Sequence, residues 1–318
     1  MSIVVCTRDR PQELDRCLRA LRVHAAAGHE VIVVDNAPSD GSTAKVVASH
    51  GCRYLCEPEP GLNRARNRGF AAAHHDLVAY TDDDCAPDPG WVEALVAPYA
   101  DADVAATTGL VMPLELETAA QESFEAYSAN RRIFEPRLYR RSTTPPSAAG
   151  VAGLGANMSF RRATLVGLGG FDPRFDGGTP TLSGGDTEMF ARLLGAGGTI
   201  AYRPDALVWH RHRRDLPSLR RVVFGYGAGV FAVFAKRLAE DRDIGVLLTA
   251  PRWLLGPPLK AAWNALRGRP ATPAGLVAAE LWGALHGPWR YLVARRTAAP
   301  AVTGGAGRGW TGRSSRAP

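Results

Sequence analysis

A short apolar segment, residues 77–81, runs directly into three consecutive carboxylates at residues 82–84. The segment has the length and residue types of a buried strand, and the prolines and glycine of residues 87–90 predict a turn before a helix near Trp91. The acids then lie at the carboxyl end of a strand, which is where open α/β sheets bind their ligands. Adjacent carboxylates repel one another, so three together are typical of a divalent-cation or polyol site. The alternative is a solvated turn in which Asp88 caps the next helix.

Segments of strand and helix character alternate from the first residues of the chain. Residues 2–7 and 30–35 have strand character, and between them Pro11 opens a segment with leucines at helical spacing. Further strands are predicted at residues 53–56, 77–81, 102–111, 155–160, 199–202 and 206–210, and further helices at residues 91–100, 114–139 and 183–194. This alternation predicts a three-layer α/β architecture around a mainly parallel sheet.

Glycine-rich phosphate loops are missing from the first strand–helix turn. A dinucleotide-binding turn needs G-x-G-x-x-G there, and the chain has Thr7 to Arg10 instead. Gly153 and Gly155 lack a third glycine and predict an ordinary loop. The sequence therefore argues against an NAD-dependent enzyme. It also argues against a nucleotidyltransferase, which would carry a glycine- and lysine-bearing loop at this point.

Arginines between the third and fourth strands are candidates for an anion site. Arg64 and Arg68 share one helical face, while Arg66 points elsewhere. Guanidinium groups suit a phosphate or the planar edge of a base. A solvated helix face is the alternative explanation.

Asp186 and His210 are further candidate site residues. Asp186 precedes an apolar helical stripe and follows Gly184 and Gly185. An Asp at this position is a good N-cap, and the glycines would also let a substrate approach the carboxylate closely. His210 follows a buried strand and could bind a metal, although a lone His is more often structural.

Composition narrows the class of protein. A chain of 318 residues with 46% hydrophobic residues can bury a sizeable core. The five cysteines are odd in number and form no C-x-x-C pair, so reduced thiols of a cytosolic protein are expected. No secretory leader precedes the first strand, and the longest uncharged apolar run in the basic third, residues 222–235, is too short to span a membrane.

The positive charge is concentrated in the last third of the chain. Residues 203–318 carry 19 Lys and Arg against 6 Asp and Glu, within a net charge of +7 for the whole chain. Apolar and aromatic runs with basic flanks in this third are typical of segments that lie in lipid headgroups, and also of helices packed on a neighbouring domain. We divide the chain into an α/β domain (1–216), a helical basic extension that could associate with an anionic membrane (217–296) and a disordered tail (297–318).

Seven short motifs occur in the order and spacing of family-2 glycosyltransferases, which the first 215 residues resemble. The motifs are Cys6 to Pro11, Val33 to Asn36, Gly61 to Gly69, Thr81 to Asp84, Gly155 to Arg161, Gly184 to Glu188 and Val208 to His212. Each motif alone is weak or moderate, and the seven in order are specific. The resemblance implies a GT-A fold, a nucleotide-sugar site at the carboxyl ends of the strands, and inverting transfer with Mn²⁺ or Mg²⁺.

The resemblance also implies roles for individual residues. The residues expected to bind the nucleotide are Thr7, Arg8, Arg10, Asp35, Arg64, Arg66, Asp82 and Asp83. Asp84 and His210 would hold the metal, and Asp186 would be the general base that takes the proton of the acceptor hydroxyl. Many relatives carry Glu before that Asp, where this chain has Gly185, so Glu188 is an alternative base.

The sequence thus predicts a glycosyltransferase that moves a sugar from a nucleoside-diphosphate sugar to a saccharide or lipid-linked acceptor. Cell-envelope polysaccharide or glycolipid synthesis is the expected setting, in the cytoplasm or on the cytoplasmic face of the membrane, with no nucleic-acid partner. The alternative is a catalytically inactive nucleotide-binding regulatory or scaffold protein with the same fold.

Overall fold

The computed structural model describes residues 1–128, 132–267 and 273–297. The strands are β1 (Ser2–Thr7), β2 (Glu30–Asn36), β3 (Arg53–Glu57), β4 (Leu77–Asp82), β5 (Cys85–Pro87), β6 (Val104–Pro113), β7 (Arg137–Tyr139), β8 (Met158–Arg161) and β9 (Thr199–His210). The helices are α1 (Pro11–Ala26), α2 (Ser42–Ser49), α3 (Leu62–Ala72), α4 (Trp91–Val96), α5 (Ala119–Ser128), α6 (Arg162–Gly167), α7 (Gly185–Gly195), α8 (Leu216–Ala239), α9 (Val246–Leu266) and α10 (Ala274–Thr297).

The strands of the described residues form one mixed sheet. Its order is β3-β2-β1-β4-β8-β6-β9-β5, with β7 paired to β9. The first four strands in that order are parallel. β8 runs antiparallel to β4 and β6, and β6 and β9 are parallel. The carboxyl ends of β1, β2 and β4 therefore meet at one edge of the sheet, where α/β proteins bind ligands.

Both faces of the sheet are buried. Val4, Ile32 and Tyr80 pack with α3 and α7 on one face. Ile3 and Val33 pack with α1, α2 and α4 on the other. All five cysteines are free, and three of them are buried in this core. Coverage on both faces explains why the strands are continuous apolar runs, and the predicted three-layer α/β architecture is confirmed.

Three local predictions were wrong. The helix expected over residues 114–139 is helical only at Ala119–Ser128, and Arg137–Tyr139 is strand β7 (residues 129–131 lie outside the described residues). The two strands expected at 199–202 and 206–210 are one strand, β9. The turn predicted at residues 87–90 is confined to Pro89 and Gly90, because Cys85–Pro87 forms strand β5. β5 and β7 have three residues each, so pairing with β9 rather than local propensity defines them.

Helices α8 and α10 are in backbone contact with each other. A Cβ at Gly227 would lie 2.0 Å from the Glu280 carbonyl oxygen, and one at Gly283 would lie 2.0 Å from the Phe224 carbonyl oxygen. Within the described residues, α8 is the one helix that is long and apolar enough to cross a membrane, because it extends past both ends of residues 222–235. However, 56% of its apolar window is buried in the fold. By length and composition alone this is weak evidence for a membrane span.

Buried ion pairs connect α8 to α7. Lys236 Nζ on α8 lies 2.9 Å from Asp172 Oδ2 and contacts Glu188 Oε1 of α7. Arg192 Nε also lies 2.7 Å from Glu188 Oε1. The basic extension therefore begins with a helix that is packed into the body of the fold. Thr297 ends α10, and the rest of the predicted tail lies outside the described residues.

Candidate active site

The three aspartates at the end of β4 lie next to His210. The short strand β5 pairs antiparallel with β9, with Cys85 opposite His210. The backbone N–H of Arg211 donates to the Asp84 carbonyl oxygen over 2.9 Å. As a result, His210 Nε2 lies 3.1 Å from Asp84 Oδ1. Main-chain pairing that the sequence did not reveal thus brings together two residues far apart along the chain.

The last residue of β1 and a residue of the following loop contact the other side of the aspartates. Thr7 Oγ1 donates to Asp83 Oδ2 over 2.7 Å. Arg10 donates from Nη1 to Asp83 Oδ1 over 2.6 Å and from Nη2 to Asp84 Oδ2 over 2.7 Å. Asp82 differs from these two aspartates. Its side chain is half-buried, and no side chain of the described residues donates a hydrogen bond to its carboxylate. Asp82 is therefore the carboxylate best placed to meet a ligand.

Burial acts against ionisation throughout this cluster. Burial and the Asp84 charge raise the pKa of Asp82. Burial, opposed by Arg10, raises the pKa of Asp83 to about 7. Asp84 is also buried, but His210 and Arg10 outweigh that effect and hold its pKa well below the usual range. Burial favours neutral His210, and Asp84 outweighs burial and raises the pKa of His210. Asp84 is therefore the carboxylate that stays ionised, as a metal ligand must.

Asp84 and His210 fit a hard divalent cation. Ligand atoms of Asp84, Cys85 and His210 all lie within 4.8 Å of one another. The 3.1 Å between Asp84 Oδ1 and His210 Nε2 matches the separation of about 3 Å expected for neighbouring ligands on an octahedral cation with bonds of about 2.1 Å. Burial raises the pKa of the Cys85 thiol well above its usual range, and sulfur is a poor ligand for Mg²⁺ or Mn²⁺. The donor set is thus one carboxylate and one imidazole.

Asp35 ends β2 beside β1 and has an unused acceptor. Tyr54 Oη donates to Asp35 Oδ2 over 3.0 Å. The buried Oδ1 has no hydrogen-bond partner among the described residues, and burial raises the pKa of Asp35. A buried acceptor without a donor costs about 1–3 kcal/mol. This oxygen is therefore suited to receive an N–H or O–H from a ligand.

Arg8 and Arg64 lie at the rim of this region. The Arg8 side chain is half-exposed, and its Nε lies 3.8 Å from Asp9 Oδ2. Arg64 Nη1 lies 2.9 Å from Glu59 Oε2. Neither guanidinium is committed to a buried partner, so both could turn to an anionic ligand.

Asp186 and Arg66 lie against the same glycine. The backbone N–H of Gly155 donates to Asp186 Oδ2 over 2.7 Å. A Cβ at Gly155 would lie 2.6 Å from Arg66 Nη2 and 3.3 Å from Asp186 Oδ2, so a larger residue would separate these groups. Arg66 is buried, and its Nη1 lies 2.7 Å from Asp176 Oδ2.

The first turn of α7 holds Asp186. Gly184, with φ 93°, is the N-cap, so the alternative in which Asp186 caps this helix was wrong. Thr187 N–H donates to Asp186 Oδ1 over 2.6 Å. Burial and the Asp176 charge raise the pKa of Asp186, against the Arg66 charge. A raised pKa is typical of a carboxylate that serves as a base near neutral pH.

Glu188 is held away from this role. Its side chain is buried, and Arg192 donates to both of its oxygens, over 2.7 and 2.8 Å. Lys236 contacts Oε1 as well. A carboxylate that is paired with two cations is a poor proton acceptor, so Asp186 is the better candidate for a base.

The two halves of the site are within electrostatic range of one another. Asp82 and Asp186 both act on the charge of Arg66. The charges of Asp186, Asp82 and Asp84 all act on the Tyr226 hydroxyl of α8. Sequence reasoning missed Tyr226 and Asp176 as neighbours of the site. Asp176 had a weak signal in its glycine-rich turn, whereas Tyr226 had none.

The chain matches the family model described as Glycosyl transferase family 2 over residues 2–160. It is 30% identical over 246 residues to a pre-mycofactocin glycosyltransferase of Mycobacterium tuberculosis. The matched region covers 73% of this chain and 47% of that protein. It is also 30% identical over 226 residues to the succinoglycan biosynthesis protein ExoM of Rhizobium meliloti, with 65% of each chain covered. The chain thus spans about half the length of the first of these relatives.

Among solved structures, glucosyl-3-phosphoglycerate synthase from Mycobacterium tuberculosis, in complex with Mn²⁺, UDP-glucose and phosphoglyceric acid, is similar to this chain. The TM-score is 0.48 at 20% identity, with 75% of this chain and 78% of that chain covered.

Proposed function

The chain belongs to glycosyl transferase family 2, and from this premise we propose that it is a metal-dependent inverting glycosyltransferase that uses a nucleoside-diphosphate sugar. The observation that carries the proposal is the meeting of Asp84 and His210 at 3.1 Å, with Asp186 and Asp82 both within electrostatic range of Arg66. An ionised carboxylate beside an imidazole supplies a cation site. A separate carboxylate with a raised pKa supplies a base.

The nucleotide would be bound by residues from β1, β2 and α3. Asp35 offers a buried acceptor oxygen that has no partner among the described residues, which suits an N–H of a base. Thr7 ends β1 and Arg8 follows it in the adjacent loop. Asp82 suits a ribose hydroxyl, because within the part of the chain that the structure describes no side chain pairs with its carboxylate. Arg66 is buried beside Asp186 and Asp176, and with Arg64 it would face the base or diphosphate. Arg10 and Asp83 complete the predicted set.

Asp84 and His210 would hold the divalent cation, which would neutralise the diphosphate so that it departs without a proton. Asp186 would accept the proton of the acceptor hydroxyl. Two backbone N–H groups, from Gly155 and Thr187, orient its carboxylate. Arg66 keeps that carboxylate ionisable in a buried setting, because its charge opposes the upward shift in pKa.

A donor panel tests the activity directly. Hydrolysis or transfer should be measured with UDP-, GDP- and dTDP-sugars and Mn²⁺, together with Asp186→Asn and the control Glu188→Gln. We expect Asp186→Asn to lose about 10²–10⁴-fold in turnover, with nucleotide affinity retained. Full activity in Asp186→Asn would refute the base assignment. A nucleotide that binds with Mn²⁺ but is never consumed as its sugar would favour the inactive scaffold instead.

The acceptor would be a saccharide or lipid-linked hydroxyl in cell-envelope polysaccharide or glycolipid synthesis. The similarity to a protein named for succinoglycan biosynthesis supports this setting.

Residues 1–216 would form the catalytic domain and 217–296 the extension. Large apolar side chains on that extension are exposed. Trp282, Leu285, Trp289 and Leu292 are each at least 50% exposed on α10, and their spacing of three and four residues puts them on one face.

This face would lie on the cytoplasmic side of an anionic membrane. Trp263 on α9 is also exposed, with the Arg267 guanidinium 3.9 Å from its ring centroid. Exposed tryptophans beside arginines are typical of helices that lie in lipid headgroups. Flotation with phosphatidylglycerol vesicles should carry the protein upward, and Trp282→Ser/Trp289→Ser should stay at the bottom. A wild-type protein that stays at the bottom at low and high salt would remove the membrane from the proposal.

A further inference from the structure

Arg10 pairs with two of the three clustered aspartates at once. Its Nη1 lies 2.6 Å from Asp83 Oδ1 and its Nη2 lies 2.7 Å from Asp84 Oδ2. The two carboxylate side chains are each 4% exposed, whereas that of Arg10 is 31% exposed. The guanidinium therefore supplies the positive charge that buried carboxylates require, and it does so from the solvent side.

The two oxygens of Asp84 face different groups. Oδ1 faces His210 Nε2 at 3.1 Å, and Oδ2 faces Arg10. Arg213 Nη1 is a second, more distant positive group, 3.8 Å from Oδ2. A divalent cation at Oδ1 would therefore lie within about 5 Å of a guanidinium, a distance at which like charges repel strongly in a partly buried site.

We propose that Arg10 is a built-in counter-cation of the triple aspartate, which disfavours a bare divalent cation and turns to the diphosphate when the donor enters. The cation and the diphosphate would then bind together rather than one after the other. The inference rests on the proposed metal site at Asp84 and His210. It adds a reason why that site would discriminate between a free cation and a cation that accompanies a diphosphate.

The setting of Arg10 suits this movement. Arg10 is the N-cap residue of α1 and makes no side-chain capping bond, so its side chain is free of a helix-capping duty. Asp9 before it has φ 53° and accepts hydrogen bonds from the backbone N–H and the hydroxyl of Ser39, which fixes the loop while the Arg10 side chain reaches over the acids. A guanidinium binds a diphosphate through two parallel N–H groups as readily as a carboxylate.

A purely structural role for Arg10 gives the opposite prediction. If Arg10 only held Asp84 in place, its loss would weaken metal binding or leave it unchanged. If Arg10 competes with the cation, its loss should tighten binding. Mn²⁺ alone, titrated into the full chain and followed by the electron paramagnetic resonance signal of free Mn²⁺, separates the two roles.

The variants are Arg10→Met and Arg10→Met/Asp83→Asn. The double variant also removes the Asp83 charge that Arg10 would leave unpaired, so it guards against a protein that fails to fold. The matched control is Arg16→Met on α1, whose side chain is 46% exposed and pairs with Glu13. We expect both Arg10 variants to bind Mn²⁺ at least tenfold more tightly than the wild type, and the control to bind as the wild type does.

Inorganic pyrophosphate tests the joint entry. By calorimetry, the wild type should bind the preformed Mn²⁺–pyrophosphate complex more tightly than Mn²⁺ alone, and Arg10→Met should lose most of that gain. Two results would overturn the inference about Arg10 but not the metal site itself. One is an Mn²⁺ affinity that is unchanged or weaker in both variants. The other is a wild-type protein that binds the Mn²⁺–pyrophosphate complex no more tightly than Mn²⁺ alone. Absence of Mn²⁺ binding in every protein, with and without pyrophosphate, would overturn the metal site and the inference with it.

Discussion

Removing Lys236 tests whether the basic extension is part of the catalytic fold. Lys236 on α8 contacts Glu188 Oε1 and lies 2.9 Å from Asp172 Oδ2, and all three side chains are less than 10% exposed. Removing one partner of a buried ion pair costs about 3–5 kcal/mol. In Lys236→Met, Glu188 still pairs with Arg192 and Asp172 still pairs with Arg174. We therefore expect the free energy of unfolding to fall by about 3 kcal/mol, the lower end of that range.

A double-mutant cycle isolates the pair. In Lys236→Met/Glu188→Gln the carboxylate that would be left without its cation is also gone. The double variant should therefore lose less than the sum of the single variants, by about 0.5–3 kcal/mol. Urea unfolding followed by circular dichroism measures each difference. Arg221→Met, an exposed change on the same helix, should stay within about 0.5 kcal/mol of the wild type.

Two results would refute this reasoning. One is Lys236→Met with the stability of the wild type, which would mean that α8 is not anchored to α7 through this pair. The other is a wild-type unfolding curve with two separate transitions, the later one unaffected by Lys236→Met. In that case, residues 217–296 would unfold independently of the body that carries Asp186.

The remaining predictions concern the site and its surroundings. The pKa of Asp186 is raised, and a base must be unprotonated to act. In a plot of kcat against pH, the fall in kcat on the acid side should therefore occur above the pH of about 4 expected for an ordinary Asp. A fall at pH 4 or below would contradict the assignment of Asp186 as the base. Asp84→Ala should abolish Mn²⁺ binding by calorimetry while Cys85→Ser retains it; equal binding in both would remove Asp84 from the ligand set. Burial opposes ionisation of Glu125, but hydrogen bonds from His212 and Arg132 outweigh it and hold its pKa at about 2. The resulting stabilisation of the folded state is present above the ordinary pKa of about 4.3 and is lost as pH falls towards 2. The difference in melting temperature between the wild type and Glu125→Gln should therefore become smaller over that pH range. A difference that stays constant would show that ionisation of Glu125 is not involved.

The strands of the parallel half could be predicted because their signal is local. Residues 2–7, 30–35 and 77–81 are apolar runs bounded by turn residues, and each coincides with β1, β2 or β4 to within one residue. Packing on both faces of the sheet demands such runs, so the pattern and the architecture agree.

The short strands could not be predicted, because the reason for them is not local. Cys85–Pro87 has three residues and contains a proline, yet it becomes β5 through its pairing with β9. The same limit applies to Glu188. Its place two residues after Asp186 made it a candidate base, and only the approach of Lys236 and Arg192, the first from another helix, commits it to ion pairs. Tyr226 likewise comes within electrostatic range of the site through helix packing, and its neighbours along the chain give no sign of this.

The pairing of β5 with β9 has a consequence for how such a protein can be redesigned. The spacing of Asp84 and His210 is set by main-chain hydrogen bonds, so it does not depend on which side chains surround them. Helices α5 and α8, by contrast, meet through side chains such as Phe124 and Tyr226, whose ring centroids are 6.5 Å apart. Substitutions on these helices can therefore change the neighbouring surface without breaking the main-chain hydrogen bonds that space the two residues. Phe124 should be spared, because its ring centroid lies 4.5 Å from that of His212, which lies 5.3 Å from that of His210.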